Sequence, residues 1–86
     1  MVRSLLLGAL LIPAVLLAQP DADDHLKMAQ AAYKANELDA ALAYADSAIR
    51  TDDAIPGGYK LRGDIKQRKQ DMHGALMDYV KAEKLE

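Results

Sequence analysis

The sequence predicts an all-α protein, with four helices in two tandem helix-turn-helix units after an N-terminal signal peptide. Three observations predict this: an uncharged apolar run at the start, two apolar stripes at helical spacing, and a break rich in Pro and Gly between the units. Beyond the apolar run, β-branched residues are scarce and no stretch alternates with a period of two, so no strand is expected. A chain of 86 residues accommodates one small domain.

The segment 1–18 is built like a secretory signal peptide. Arg3 precedes an uncharged run from Leu5 to Ala18, whose length as a helix is about 21 Å, shorter than the roughly 30 Å hydrocarbon core. We therefore expect cleavage after Ala18, export to the periplasm or the extracellular space, and no stable membrane insertion afterwards. Residues 19–22 are expected to be a short linker. Leu16 makes the cleavage site imperfect, and an uncleaved membrane anchor is the alternative.

The segment 19–86 relies on packing, because the chain contains no Cys and therefore no disulfide. Residues 19–55 carry a net charge of −5 and residues 56–86 a net charge of +2. The sum of −3 argues against general nucleic-acid binding, which requires a clearly basic surface.

Two segments carry nearly the same apolar stripe, the second 34 positions after the first. The first stripe has helical spacing and consists of Leu38, Ala41, Leu42, Ala45, Ala48 and Ile49. The second repeats its steps with Met72, Ala75, Leu76, Tyr79 and Ala82. A further helix is predicted before each stripe, the first of them containing Leu26, Met28, Ala29, Ala32 and Tyr33.

Polar and turn-forming residues predict the helix ends. Asp23 or Asp24 is expected to cap the first helix, and Asp39 to start the second. Asn36 suits the C-terminus of the first helix. The third helix is predicted from Tyr59 to Gln70, with Pro56 in its first turn and Asp71 starting the fourth.

The period and the matching small and apolar positions resemble the tetratricopeptide repeat family. The resemblance divides the chain into repeats at 23–55 and 56–86. It implies a repeat-packing set in which small residues let helices approach closely and larger ones fill the space between units: Ala29, Ala41, Leu42, Ala48, Gly63, Ala75, Leu76, Tyr79 and Ala82.

The chain also departs from the family pattern. His25 stands at the place of a large aromatic residue, and Asp53 at the place of the Pro that ends a repeat. The third helix is poor in apolar residues, so its long basic side chains are expected to cover apolar surface with their charges in water. The outer side of the fourth helix would leave Met77 and Val80 uncovered, with Leu85 nearby.

No arrangement of residues predicts catalysis, a metal site or a cofactor. His25 and His73 lie in different predicted hairpins, without metal-ligand spacing. Gly57 and Gly58 lack the Lys-Ser/Thr of a phosphate loop, and the acidic run 21–24 lacks calcium-loop spacing. We therefore expect a protein that is not an enzyme.

The resemblance implies a concave face, lined by the first helix of each unit, that binds an extended peptide or a partner helix. Residue by residue this carries over to Asp23, Leu26, Gln30, Tyr33, Lys34, Lys60, Asp64, Gln67 and Arg68. Lys60 and Arg68 would hold acidic groups of the ligand while Tyr33 packs against it. The alternative is that Asp64 pairs with both cations in an ordinary solvated face.

Two functions follow as expectations. One is an exported, non-catalytic interaction module that binds another protein or peptide on the concave face or docks through the open C-terminal helix. The other is a self-associating structural subunit of an envelope or extracellular assembly, in which that helix pairs with a second copy.

Overall fold

A computed structural model describes residues 19–86, and the expected signal peptide lies outside them. These residues form four helices and no strand: α1 (Ala22–Lys34), α2 (Leu38–Thr51), α3 (Gly58–Arg68) and α4 (Met72–Leu85). The predicted all-α class is therefore confirmed. Helices α1 and α2 pack as a first hairpin, and α3 and α4 as a second hairpin. The hairpins meet mainly where α3 packs on α2, with a small contact between α3 and α1.

Asp71 caps α4 as predicted, since its side chain accepts the Gly74 N–H at 2.9 Å, but the starts of the other helices differ from the predicted ones. Asp21, not Asp23 or Asp24, caps α1, since its side chain accepts the Asp24 N–H at 2.8 Å while Asp24 accepts the Asp21 N–H at 3.2 Å. This reciprocal pair requires an acceptor at the third helical position after the cap, and Asp24 supplies it. Helix α2 follows Glu37, which places Asp39 in its first turn.

The two intra-hairpin turns are alike. Asn36 and Gln70, which are separated by the same offset as the two apolar stripes, both have positive φ, at 60° and 69°. They reverse the chain after α1 and α3. Consequently α3 ends at Arg68 rather than at Gln70. The start of α3 differs as well, because Gly57, at φ 80°, is its N-cap and Pro56 lies in the preceding turn.

Most other helix boundaries share this offset of 34 positions. It relates the ends of α1 and α3, the starts of α2 and α4, and the ends of α2 and α4. Backbone hydrogen bonds in the turns follow it too: Glu37 N–H donates to the Ala32 carbonyl as Asp71 N–H donates to the Lys66 carbonyl. Below, two residues that this offset relates are called counterparts.

The apolar core lies between α1, α2 and α3. One cluster consists of Ala22, Leu26, Ala48, Ile49 and Ile55, and a second of Ala29, Ala32, Ala41, Ala45 and Ile65. Leu61 of α3 packs against both clusters and joins them. Alanines dominate the core, which lets the helix backbones approach closely.

The second hairpin packs through a glycine and a tyrosine. An added Cβ on the buried Gly63 would lie 2.7 Å from Cε1 of Tyr79, so no larger residue fits without moving the ring. Tyr79 thus fills space within the hairpin rather than between units. Leu76, also predicted to fill that space, is 58% exposed, because no helix within residues 19–86 covers the outer side of α4. Ala75 is buried and Ala82 half-buried.

Candidate functional site

A stacked cation joins α1 to α3 on one side of the molecule. The Arg68 guanidinium carbon lies 4.0 Å from the centre of the Tyr33 ring, and its Nη1 donates to the Tyr33 carbonyl at 3.2 Å. A guanidinium at this distance is attracted to the ring face. The C-terminal turns of the two helices are therefore held together by one side chain.

Asp64 is the acceptor at the centre of this side. It accepts the Tyr79 hydroxyl at 2.6 Å and Lys60 Nζ at 3.3 Å. Gln67 Oε1 offers the same hydroxyl a second acceptor at 3.0 Å. Because the carboxylate accepts the phenol proton, and because burial disfavours the phenolate, the pKa of Tyr79 rises to about 12.

The contacts of Lys60 and Arg68 match neither expectation fully, neither a pair of free cations nor two cations paired with Asp64. Lys60 pairs with Asp64, as in the solvated alternative, whereas Arg68 lies on the Tyr33 ring instead of pairing with Asp64. Leu26 is buried in the core and is not presented to a ligand. The remaining predicted residues at this side are exposed: Asp23, Gln30, Lys34 and Gln67.

We define the α1–α3 face by Tyr33, Lys60, Asp64, Gln67 and Arg68. It presents guanidinium and ammonium donors beside a half-buried aromatic ring, a combination suited to carboxylate ligands and to planar groups. Within residues 19–86, no group of three or more His, Cys, Asp or Glu residues is arranged to hold a metal ion. No helix in that part of the chain is long and apolar enough to cross a membrane.

A second polar arrangement, here called the ion cluster, lies between the hairpins and consists of Asp46, Arg62, Lys66 and Asp78. Arg62 donates to Asp78 at 2.8 and 2.9 Å and to Asp46 at 3.0 Å, while Lys66 reaches Asp78 at 3.0 Å. Asp78 is only 4% exposed. Contrary to expectation, Arg62 and Lys66 are half-buried with their charges paired. The other basic residues of the predicted third helix are exposed, as expected: Lys60, Arg68 and Lys69.

The cluster favours its charged form. Burial raises the pKa of Asp78, but the hydrogen bonds from Arg62 and Lys66 outweigh it and hold this pKa below its usual value. The hydrogen bonds that Arg62 donates to Asp78 also raise the pKa of Arg62. The sequence offered one signal for the cluster: Arg62 and Lys66 stand at i and i+4, on one side of a helix whose basic side chains were expected to cover apolar surface.

Two cavities lie elsewhere on the surface. One, of about 280 Å³, is bounded by the α2–α3 turn and the end of α4, with Ile55, Tyr59, Ala82 and Leu85 in its wall. The other, of about 260 Å³, is a shallow groove on the first hairpin lined by Met28, Ala31, Ala32, Glu37 and Tyr44. The charged residues in their walls are Lys60 and Glu86 in the first cavity and Glu37 in the second.

In comparisons with known proteins, no family model, no curated protein and no solved structure matches the chain.

Proposed function

We propose that the chain is an exported, non-catalytic interaction module of the tetratricopeptide-repeat type that binds acidic, extended peptides on the α1–α3 face. The shared offset of the helix boundaries supports the repeat assignment. The face then corresponds to the concave surface that the resemblance implies. The observation that carries the proposal is the exposed Arg68 guanidinium, stacked on Tyr33 between the two helices.

The chemistry of this face favours carboxylates. Among residues 19–86, the one acceptor that Arg68 reaches is the Tyr33 carbonyl, through Nη1, so further N–H groups are free to bind a carboxylate in a forked geometry. The stacking fixes the plane of the guanidinium, which lowers the entropy lost when a ligand binds. Lys34 and Lys60 are exposed on the same two helices and extend the positive surface.

A peptide-binding measurement tests the proposal. The probe is a labelled extended peptide with alternating Glu and Thr, compared with the same peptide carrying Gln for Glu. We expect the acidic peptide to bind and the neutral one to bind at least tenfold more weakly, as for a lost charge-assisted hydrogen bond of about 1.4 kcal/mol. Arg68→Ala should reduce binding of the acidic peptide by about the same factor.

Matched variants give the controls. Arg68→Lys retains the charge but loses the fork and the stack, so it should lie between wild type and Arg68→Ala. Lys84→Ala removes an exposed cation from α4 and should leave the affinity unchanged. If the two peptides bind equally, or if Lys84→Ala weakens binding as much as Arg68→Ala, the proposed face is wrong.

Export forms the second part of the proposal. It is supported by the basic residue and the uncharged apolar run at the start of the sequence. Intact-mass measurement of the protein recovered from its producing cells tests it. A chain that starts at Gln19 supports export with cleavage, whereas a mass that includes residues 1–18 supports the membrane-anchored alternative.

A further inference from the structure

The described part of the chain exposes large apolar side chains at two opposite ends of the helix stack. Met28 lies on α1 of the first hairpin and is 42% exposed. At the other end is the outer face of α4, which we define by Met72, Leu76, Met77 and Val80, all exposed. Since α4 contacts α3 but neither α1 nor α2, these two surfaces are far apart in one molecule.

The junction between α2 and α3 provides a template for how such ends can meet. There, Arg62 of α3 donates to Asp46 of α2 at 3.0 Å. Leu61 of α3 packs on the core cluster that contains Ile49 of α2. An ion pair and apolar packing therefore both lie across this junction.

The counterparts of the ion pair are both apolar. The counterpart of Arg62 is Met28, at one end of the molecule, and the counterpart of Asp46 is Val80, at the other. A contact between Met28 and Val80 would therefore join two apolar side chains, whereas the inner junction joins two opposite charges. Both contacts are favourable. A change in only one member would have left a charge against an apolar group, which is costly.

Two apolar residues of the template, Leu61 and Ile49, change in the opposite sense. The counterpart of Leu61 is Lys27, and the counterpart of Ile49 is Glu83. Both are exposed, and their charges are opposite. At each of these two places, the exposed surfaces of the described helix stack are therefore complementary to each other in a way that differs from the inner junction.

The groove on the first hairpin is suited to receive α4. Of the residues that line it, Met28, Ala32 and Tyr44 are the counterparts of Arg62, Lys66 and Asp78. The place that the ion cluster fills in the second hairpin is thus an open, largely apolar groove of about 260 Å³ in the first. A branched aliphatic side chain such as Val80 fits its chemistry.

We propose that copies of this chain stack end to end, the outer face of α4 of one copy packing on α1 and the groove of the next. The junction imitates that between α2 and α3, with Val80 against Met28 and Tyr44, and Glu83 beside Lys27. Because the two surfaces differ, the contact is heterologous, and each added copy presents the same two surfaces to the next. The α1–α3 face stays free, so this inference goes beyond peptide binding and does not depend on it.

Cysteine cross-linking tests the proposal, because the chain has no Cys of its own. Met28→Cys and Val80→Cys are made in separate full chains and mixed under mild oxidation. We expect the mixed disulfide to form at least tenfold faster than a disulfide between Val80→Cys and Gln30→Cys. Gln30 is exposed and lies on the opposite side of α1 from Met28. A chain carrying both Met28→Cys and Val80→Cys should give a ladder of multimers.

Other occupants of these surfaces predict other products. If α4 pairs with α4 of a second copy, Val80→Cys alone gives the dominant dimer, and the proposal is overturned. If residues 1–18 or a different protein cover the surfaces, neither cysteine chain cross-links above the Gln30→Cys control, which also overturns it. Loss of peptide binding in Arg68→Ala has no bearing on these results.

Charge exchange supplies an independent test by light scattering across a concentration range. Lys27→Glu and Glu83→Lys each place like charges across the junction, and each should weaken association about threefold to tenfold at low salt. The double variant restores opposite charges and should return association to the wild-type level. Equal weakening in the singles and in the double variant would show that the two residues do not meet.

Discussion

The two hairpins have similar helix boundaries, but three corresponding positions carry uncharged residues in the first hairpin and charged residues in the second. In the first, Met28, Ala32 and Tyr44 line an open apolar groove. In the second, their counterparts Arg62 and Lys66 are half-buried and form an ion cluster around the buried Asp78. Positions with the same helical spacing thus carry different side chains, because one set lies between the hairpins and the other lies on the outer side of the first hairpin. A charge between the hairpins finds partners from two helices, and the cluster fixes α3 relative to both α2 and α4.

Close packing inside each hairpin shows the same division. In the first hairpin, Ala29 and Ala45 are both fully buried. Their counterparts in the second are Gly63 and Tyr79, with the ring lying against the glycine. The large Tyr79 on α4 thus faces Gly63 on α3, which has no side chain, and the two helices can stay close together. The Tyr79 hydroxyl also donates to Asp64. The residue that packs against Gly63 therefore also contacts the α1–α3 face.

The largest expected effect comes from removing the buried carboxylate. Asp78→Asn leaves Arg62 and Lys66 without their shared anion and should lower the free energy of unfolding by about 3 kcal/mol. A domain of this size has only about 3–10 kcal/mol in total, so much of the variant should be unfolded. Urea denaturation followed by circular dichroism at micromolar concentration measures the loss.

Two comparisons make this prediction specific. Asp46→Asn removes the more exposed partner of Arg62 and should cost no more than about 1 kcal/mol. Wild-type stability should also fall with acid, because the pKa of Asp78 is lowered on folding. Its contribution is complete above the unfolded pKa of 3.8 and is lost as the pH falls through the lower folded value. Equal losses in Asp46→Asn and Asp78→Asn would contradict the role of burial.

The glycine–tyrosine contact is the next most sensitive place. Gly63→Ala brings its Cβ to 2.7 Å from the Tyr79 ring and should destabilise the protein by about 2 kcal/mol, even though alanine favours helix. The second change Tyr79→Leu should recover part of that loss, because the shorter side chain vacates the space. A neutral or stabilising Gly63→Ala in thermal unfolding would show that the ring moves without cost.

Helix content and turns were predictable from the sequence for local reasons. Asn36 was expected to end α1, and its positive φ follows from its own tolerance of that conformation. Gln70 has no such preference, and α3 was predicted to continue through it. Its conformation matches that of its counterpart Asn36, which only the offset between the hairpins would have indicated. The cap at Asp21 was missed because three aspartates compete locally, and the reciprocal bond to Asp24 decides between them.

The candidate face was predictable as a set of positions but not as a set of contacts. Periodicity places Asp64 and Arg68 on one side of α3, where a pair at i and i+4 is the local expectation. The ring of Tyr33, in the other hairpin, competes for Arg68, and Tyr79 competes for Asp64 from α4. Contacts between distant segments depend on how the helices cross, which residue spacing does not specify.

Two leucines at counterpart positions differ in how much of their surface is covered. Leu42 is half-buried beside the core, whereas its counterpart Leu76 is 58% exposed. Leu42→Ala should cost about 1.5 kcal/mol, and Leu76→Ala no more than about 0.5 kcal/mol. Urea titrations at low protein concentration compare the two as monomers. Similar losses would mean that Leu76 is covered in the monomer by a segment outside residues 19–86.

A smaller effect than that of Leu42→Ala is expected from the hydroxyl that distinguishes Tyr79 from an ordinary packing residue. Tyr79→Phe keeps the ring against Gly63 but removes the hydrogen bond to Asp64, and should cost about 1 kcal/mol at neutral pH. Because folding raises the pKa of Tyr79 to about 12, this contribution is fully present below the unfolded value of 10.0 and is lost as the pH rises to about 12.

The difference in unfolding free energy between wild type and Tyr79→Phe, measured from pH 8 to pH 12, isolates this effect from the other three tyrosines. It should shrink above pH 10, since the ionised phenol can no longer donate and repels the carboxylate of Asp64. A difference that stays constant across this range would show that the hydroxyl is not bonded to Asp64 in solution. In that case Asp64 would be left to Lys60 alone, and Gln67 would be the one acceptor of the α1–α3 face within reach of the Tyr79 hydroxyl.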